Sequence, residues 1–210
     1  MDFLSPIYLE YFLHLSIFKE VLHLFSLSMK YFKKIERGKI YLSPINSEDY
    51  EVMTQWMNNP KVTRGISEHH KIASLEREKS RIERVTKEGE YTLAIVKQEN
   101  DELLGTIGLY HLDQLNQIAE LGILIWNAEE HGKWYGTDAI NAMLSFAFHT
   151  LNLYTVYLRV YSFNTNAIRC YEKVWFKKTG ECHHSCYCDG EWFDQYFMEM
   201  LKPDREEKNK

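Results

Sequence analysis

The sequence predicts an α/β chain of the α+β kind, a mixed, mostly antiparallel central sheet flanked by helices. Three observations predict it. The expected elements run β, α, α, β, β, β, α, β, α, β, β along the chain. The apolar period switches from helical to two-residue at Tyr91, and three strand-like runs follow at short spacing. Near the C-terminus, Asp189-Gly190 separates two further runs, a residue pair typical of a tight hairpin.

Residues 39–42 read as a short strand ended by Ser43-Pro44. Asn46 or Ser47 caps a helix reaching about Asn58, with Glu48 and Asp49 in the first turn, where the helix dipole favours acids. Asn58-Asn59-Pro60 stops it. Residues 73–87 are a charged, helix-favouring stretch, with Gly89 as its C-terminal stop. Residues 91–97, 103–112 and 117–125 form an antiparallel meander. Residues 136–150 are helical, with Ile140, Met143, Leu144 and Ala147 on one face. In residues 155–160, Val156, Leu158 and Val160 alternate with Tyr157 and Arg159. Asn164 caps a helix to about Val174, and residues 176–188 and 191–201 make the closing hairpin. The chain thus divides into an extension (1–38), one domain (39–201) and a charged tail (202–210) expected to fray.

With 210 residues, 45% hydrophobic and 26% charged, the composition is that of an ordinary globular chain. A net charge of −5 argues against nucleic acid, whose phosphates need a basic footprint. Residues 7–28 are apolar and aromatic, but Glu10, His14, Lys19, Glu20 and His23 interrupt them, which speaks against a membrane span. They read as an amphipathic helix on the domain or on a twin, which would make a homodimer, or as sequence upstream of a true start at Met29. A membrane-surface role is the less favoured reading. The four cysteines, Cys170, Cys182, Cys186 and Cys188, show no secretory framework and read as reduced thiols of a cytoplasmic protein.

Two segments carry chemistry. The first is Ala119-Glu120-Leu121-Gly122-Ile123-Leu124-Ile125, then His131-Gly132-Lys133-Trp134-Tyr135-Gly136-Thr137, then a helix. A glycine-bearing loop at a helix start presents free N–H groups and the positive dipole end, a combination that binds phosphates. It is neither a P-loop nor a dinucleotide fingerprint. The second places Asn164 and Tyr171 seven residues apart, about 10 Å along one helix face. Taken alone, that pair is better explained by a capping asparagine and a core tyrosine.

Together the two segments resemble the GNAT superfamily of N-acetyltransferases, in the branch of the spermidine and ribosomal-protein N-terminal enzymes. The family's acetyl-CoA loop reads Gln/Arg-x-x-Gly-x-Gly/Ala, and the corresponding window here is His131-Gly132-Lys133-Trp134-Tyr135-Gly136. Its Asn-x-x-Ala-x-x-x-Tyr helix is matched by Asn164 or Asn166 with Ala167 and Tyr171. The closing hairpin around Asp189-Gly190-Glu191-Trp192-Phe193-Asp194 also resembles this branch. The resemblance implies acetyl-CoA as cosubstrate, no metal, and a primary amine as acceptor: a polyamine, a protein N-terminus or a small amine. It further implies that Ile123, Leu124 and Ile125 hold the thioester and pantetheine arm, and that Asn164 and Ala167 lie beside it. The segment His131, Gly132, Lys133, Trp134, Tyr135, Gly136 and Thr137 would grip the pyrophosphate. Glu120 is the candidate base. Tyr171 is the candidate acid, its ordinary pKa of about 10 set against about 8.5 for a thiol. The acceptor pocket is expected from the loops near residues 63–70 and the last hairpin, where Glu129, Glu130, Asp189, Glu191 and Asp194 could attract a cation.

Three tryptophans depart from the family pattern. Trp126, Trp134 and Trp175 stand where this branch has glycine. Trp134 would crowd the pyrophosphate, and Trp175 falls past a helix end that prefers a left-handed glycine. One reading is a non-catalytic acyl-CoA-binding or interaction protein with a degraded loop. The other is a genome that decodes UGA as glycine, translated here as tryptophan. A last feature, Cys182, His184, Cys186 and Cys188 on one expected strand face, offers soft ligands, but positions on a flat strand do not converge into a tetrahedron.

Overall fold

The computed structural model describes residues 30–88, 91–126 and 134–208. Most of the extension, Gly89 and the loop residues His131, Gly132 and Lys133 lie outside them.

The elements are β1 (Ile35–Arg37), β2 (Ile40–Pro44), a 3-10 turn (Ser47–Asp49), α1 (Tyr50–Met57), α2 (Pro60–Thr63), α3 (Leu75–Glu88), β3 (Tyr91–Lys97), β4 (Leu103–Asp113), β5 (Ile118–Ile125), α4 (Tyr135–Ser145), a π-type turn (Phe146–Thr150), β6 (Thr155–Tyr161), α5 (Thr165–Lys173), β7 (Lys177–Cys188), β8 (Glu191–Leu201) and α6 (Lys202–Lys208). They build one eight-stranded sheet in the order β1-β2-β3-β4-β5-β6-β8-β7. Every pairing is antiparallel except β5 with β6. That exception arises because α4 carries the chain back between them, as parallel neighbours require.

Strand alternation sorts side chains onto two faces. On one face, Ile40, Leu42, Ile95, Ile107, Leu109, Ala119, Leu121, Val156, Leu158, Val160, Met198 and Met200 meet α4, the π-type turn and α5. On the other, Tyr41, Ala94 and Val96 meet Met53 of α1 and Ile82 and Val85 of α3. Among the described residues, helices α1 and α3 cover the β2–β4 part of this face and Leu124 near the end of β5, and no helix packs over the outer face at Glu120.

Two expectations are corrected. Strand β1, unread in the lysine-rich stretch before residue 39, exists because its backbone pairs Ile35 with Leu42 and Arg37 with Ile40. The charged tail does not fray at its start: residues 202–208 form α6. The Lys202 amide donates to Tyr154, Lys177 pairs with Asp204 at 2.8 Å, and Arg205 is buried. Among the described residues no helix is long and apolar enough to cross a membrane.

Candidate active site

The two central parallel strands pair only at Ile118, Ala119 and Glu120 with Thr155, Val156 and Tyr157. Beyond that point they part. β5 continues on β4 to Ile125, and β6 continues on β8 to Tyr161. The result is a fork whose β5 arm contains Ile123, Leu124 and Ile125. On the fork side that arm has no strand neighbour among the described residues, so the peptide groups at Ile123 and Leu124 suit an extended amide-bearing chain, bound as an added strand would be.

Helix α4 begins behind the fork. Trp134 is its N-cap, with a left-handed backbone and no side-chain cap; its carbonyl accepts from Asp138 N at 2.9 Å. Tyr135 turns into the core, whereas Gly136 and Thr137 stand in the first turn beside Cys170 of α5, Thr137 Oγ1 lying 3.5 Å from its Sγ. The Lys173 ammonium sits 3.0 Å from the centre of the exposed Trp134 ring. The first-turn N–H groups here fit a phosphate, and the fork fits an amide-linked arm, so the described residues are compatible with coenzyme A as substrate.

Asn164 caps α5 by accepting from Ala167 N at 3.3 Å, and its amide side also abuts Gly65. Seven residues on, Tyr171 is buried and packs edge-on against Phe176. Burial, and secondarily Cys170, raises its pKa above the ordinary phenol value, so the group stays protonated well past neutrality. Tyr171 belongs to the core on the α4–α5 face.

Glu120 belongs to the opposite face, by alternation with Ala119 and Leu121. Arg159 Nε and one Nη donate to its two oxygens at 2.8 and 3.1 Å, and Tyr157, its β6 pairing partner, stands beside it. Beside it the Tyr110 ring lies over Gly108 and Gly122, cross-strand partners that need hydrogen there because a Cβ would come within 2.9 Å of that ring. A shallow cavity of about 460 Å³ opens next to this group, walled by His111, Asp113, Tyr157, Phe197 and Glu199. Sequence reading missed His111 and Tyr110. The only signal was an aromatic residue and an imidazole at the end of a strand.

The other expected features resolve separately. Asp189 pairs with Arg64 at 2.9 Å, which ties the last hairpin to the loop after α2. Asp194 accepts from His184 N at 3.0 Å. Glu191 is exposed, and Glu129 and Glu130 lie outside the described residues. The shared face of Cys182, His184, Cys186 and Cys188 does not form, because β7 bulges between Cys182 and Cys186. Cys186 and Cys188 are buried and Cys182 and His184 exposed. No group of three or more His, Cys, Asp or Glu among the described residues could hold a metal ion, and all four cysteines are unbridged.

The sequence pattern of the acetyltransferase (GNAT) domain matches residues 39–177. The chain belongs to the GNAT acetyltransferase family. It is accordingly an acetyl-CoA-dependent N-acetyltransferase. Among curated relatives of this GNAT chain, the "Probable N-acetyltransferase YjcK" of Bacillus subtilis is 31% identical over 126 residues, covering 60% of this chain and 69% of its own. The spermidine N(1)-acetyltransferase of Escherichia coli K12 is 28% identical over 153 residues, 73% of this chain and 81% of its own. In fold, the GNAT chain superposes with a TM-score of 0.71 on the spermidine N-acetyltransferase of Vibrio cholerae crystallised with CoA and spermine. That match has 22% identity and covers 80% of this chain and 98% of the other.

Proposed function

We propose that this enzyme moves an acetyl group from acetyl-CoA to a primary amine, by direct attack, with Glu120 as base and Tyr171 as acid. The supporting observation is the fork, since Glu120 is the last β5 residue paired across it and Tyr171 packs in the core on the other face of the sheet. Glu120 takes a proton from the acceptor ammonium on the open face. The freed lone pair attacks the thioester carbonyl in the fork, the C–S bond breaks, Tyr171 gives its phenolic proton to the leaving sulfur, and the second proton of the attacking nitrogen returns to the Tyr171 phenolate as the amide forms. Backbone groups of Ile123, Leu124 and Ile125 hold the pantetheine arm, with Asn164 and Ala167 beside it. The N–H groups of Gly132, Lys133, Tyr135 and Gly136, within the segment from His131 to Thr137, hold the pyrophosphate.

The acceptor is a polyamine, a protein N-terminus or a small amine, and the acidic and aromatic walls of the open cavity suit a cation. A cytoplasmic site of action and a homodimer complete the reading. Acetyl-CoA titration by calorimetry, followed by thiol release over a panel of these amines, tests it. Turnover of none of them sinks the reading. Tight cofactor binding with no turnover would instead favour an acyl-CoA-binding protein, a reading that the indole of Trp134 at the start of α4 supports.

A further inference from the structure

β4 and β5 run in regular antiparallel register from Gly105–Ile125 to Tyr110–Glu120, and then the register slips: the next pair is Asp113 with Ile118. One extra residue is accommodated on β4, a β-bulge. Its conformational mark is His111, whose φ of 51° is left-handed. Alternation from Tyr110 would send the next side chain to the α4–α5 face. The bulge instead leaves the imidazole on the open face, with Nε2 at 3.8 Å from Glu120 Oε2. Bulges that re-aim a side chain and non-glycine left-handed residues both concentrate at functional sites.

The surroundings say what such an imidazole can do. Glu120 keeps only 13% of its side chain exposed, whereas His111 keeps 71%. Arg159 already occupies the carboxylate from the β6 side, with Tyr157 beside it. Among the described residues, a proton arriving on Glu120 therefore has one neutral-capable neighbour that stands mostly in solvent, the imidazole of His111. The spacing of 3.8 Å is closed by a small side-chain rotation or one water. The groups facing His111 are Tyr110 and Asp113 on β4, Glu120 on β5, Tyr157 and Arg159 on β6, and Glu199 on β8. Asp113 is ionised and held by the Asn116 backbone and side-chain amides, which lower its pKa, so it does not compete as a proton acceptor at neutral pH.

We infer that His111 is the proton outlet of the acceptor site. The proton that leaves the acceptor ammonium passes to Glu120, then to His111 Nε2; the same ring releases its Nδ1 proton to water, and rotation of the exposed ring or tautomer exchange through water presents an unprotonated nitrogen to Glu120 again. The carboxylate and the neutral imidazole are restored and one proton enters solvent per turnover. The inference rests on Glu120 acting as the base.

The test is His111→Asn, because asparagine tolerates the left-handed backbone and carries no titratable ring. With wild-type protein and the best amine of the panel, turnover is independent of buffer concentration. In the variant, kcat falls on the order of tenfold, the alkaline and acidic limbs of its pH profile change shape, and added imidazole restores most of the loss at fixed pH and ionic strength. Acetyl-CoA affinity by calorimetry stays within about twofold of wild type. His111→Gly, which also relieves the backbone, must give the same rescue. Wild-type kcat and pH profile in both variants, or a loss that imidazole does not restore, overturns the role of His111 and leaves the acetyltransferase reading standing. A wild-type chain inert toward every amine overturns both.

Discussion

Trp134 and Trp175 share one backbone state: φ is 74° at the first and 76° at the second. One caps the start of α4, the other follows the end of α5, and both indoles are at least half exposed. A left-handed residue with a large side chain costs about 1–2 kcal/mol, a cost glycine does not bear. Trp126 differs. Its backbone is not left-handed, and its ring is buried and stacked on Trp56 at 4.6 Å, although its indole N–H has no hydrogen-bond partner among the described residues.

Trp134→Gly and Trp175→Gly should therefore each stabilise the fold, by about 1 kcal/mol once the extra chain entropy of glycine is subtracted. Trp126→Gly should destabilise it by about 3 kcal/mol through the cavity it leaves. Urea midpoints measure all three. The same positions test the decoding of the gene. UGA codons at 126, 134 and 175 would mean that the native protein carries glycine there, and UGG codons would end that idea.

Tyr171→Phe should lower kcat by about a hundredfold or more, in line with loss of a general acid, with acetyl-CoA affinity within about twofold. The phenol is buried by core contacts that phenylalanine keeps. An unchanged rate would remove Tyr171 from the mechanism.

Glu120→Gln should lower kcat/KM by about a hundredfold and leave acetyl-CoA binding intact, because the carboxylate lies on the sheet face away from α4 and α5. The change also leaves Arg159 without its anionic partner. Arg159→Gln in the same background separates the two effects: if the double variant recovers turnover, Glu120 was holding Arg159 rather than taking a proton.

The buried phenols should make stability fall as pH rises above about 10. Tyr31, Tyr41 and Tyr171 all have raised pKa values, from burial first, then from Asp49, Asp101 and Cys170 respectively. The unfolded chain ionises these phenols near the ordinary value while the folded chain keeps them neutral, so the unfolded state sheds protons first as pH rises. The slope is at most about 1.4 kcal/mol per pH unit for each phenol. Urea midpoints from pH 8 to 11 that stay level would show that these side chains reach solvent in the folded state.

Helix and strand identity was legible because it is written in local period. The meander at residues 91–125, the Asn164 cap and the Asp189-Gly190 turn all formed close to where their patterns put them, and both turn residues have positive φ. β1 was not legible, since its three residues owe their strand to β2 rather than to any alternation of their own. Nor was α6, whose charged face hides one buried arginine. Of the candidate site, Tyr171 and the α4 start were nominated by resemblance to the family pattern, whereas His111 was not, because a one-residue bulge reverses the face that alternation assigns.

The sequence by itself determined the elements, their order and the family motif, because each depends on residues within a turn or two of one another. The tertiary structure alone decided where β5 and β6 part, that Glu120 lies on the sheet face opposite the core that holds Tyr171, and that Arg159 clasps Glu120 from 39 residues along the chain. Those facts depend on the register between distant strands. Register is set by the whole packed sheet, and no local period carries it.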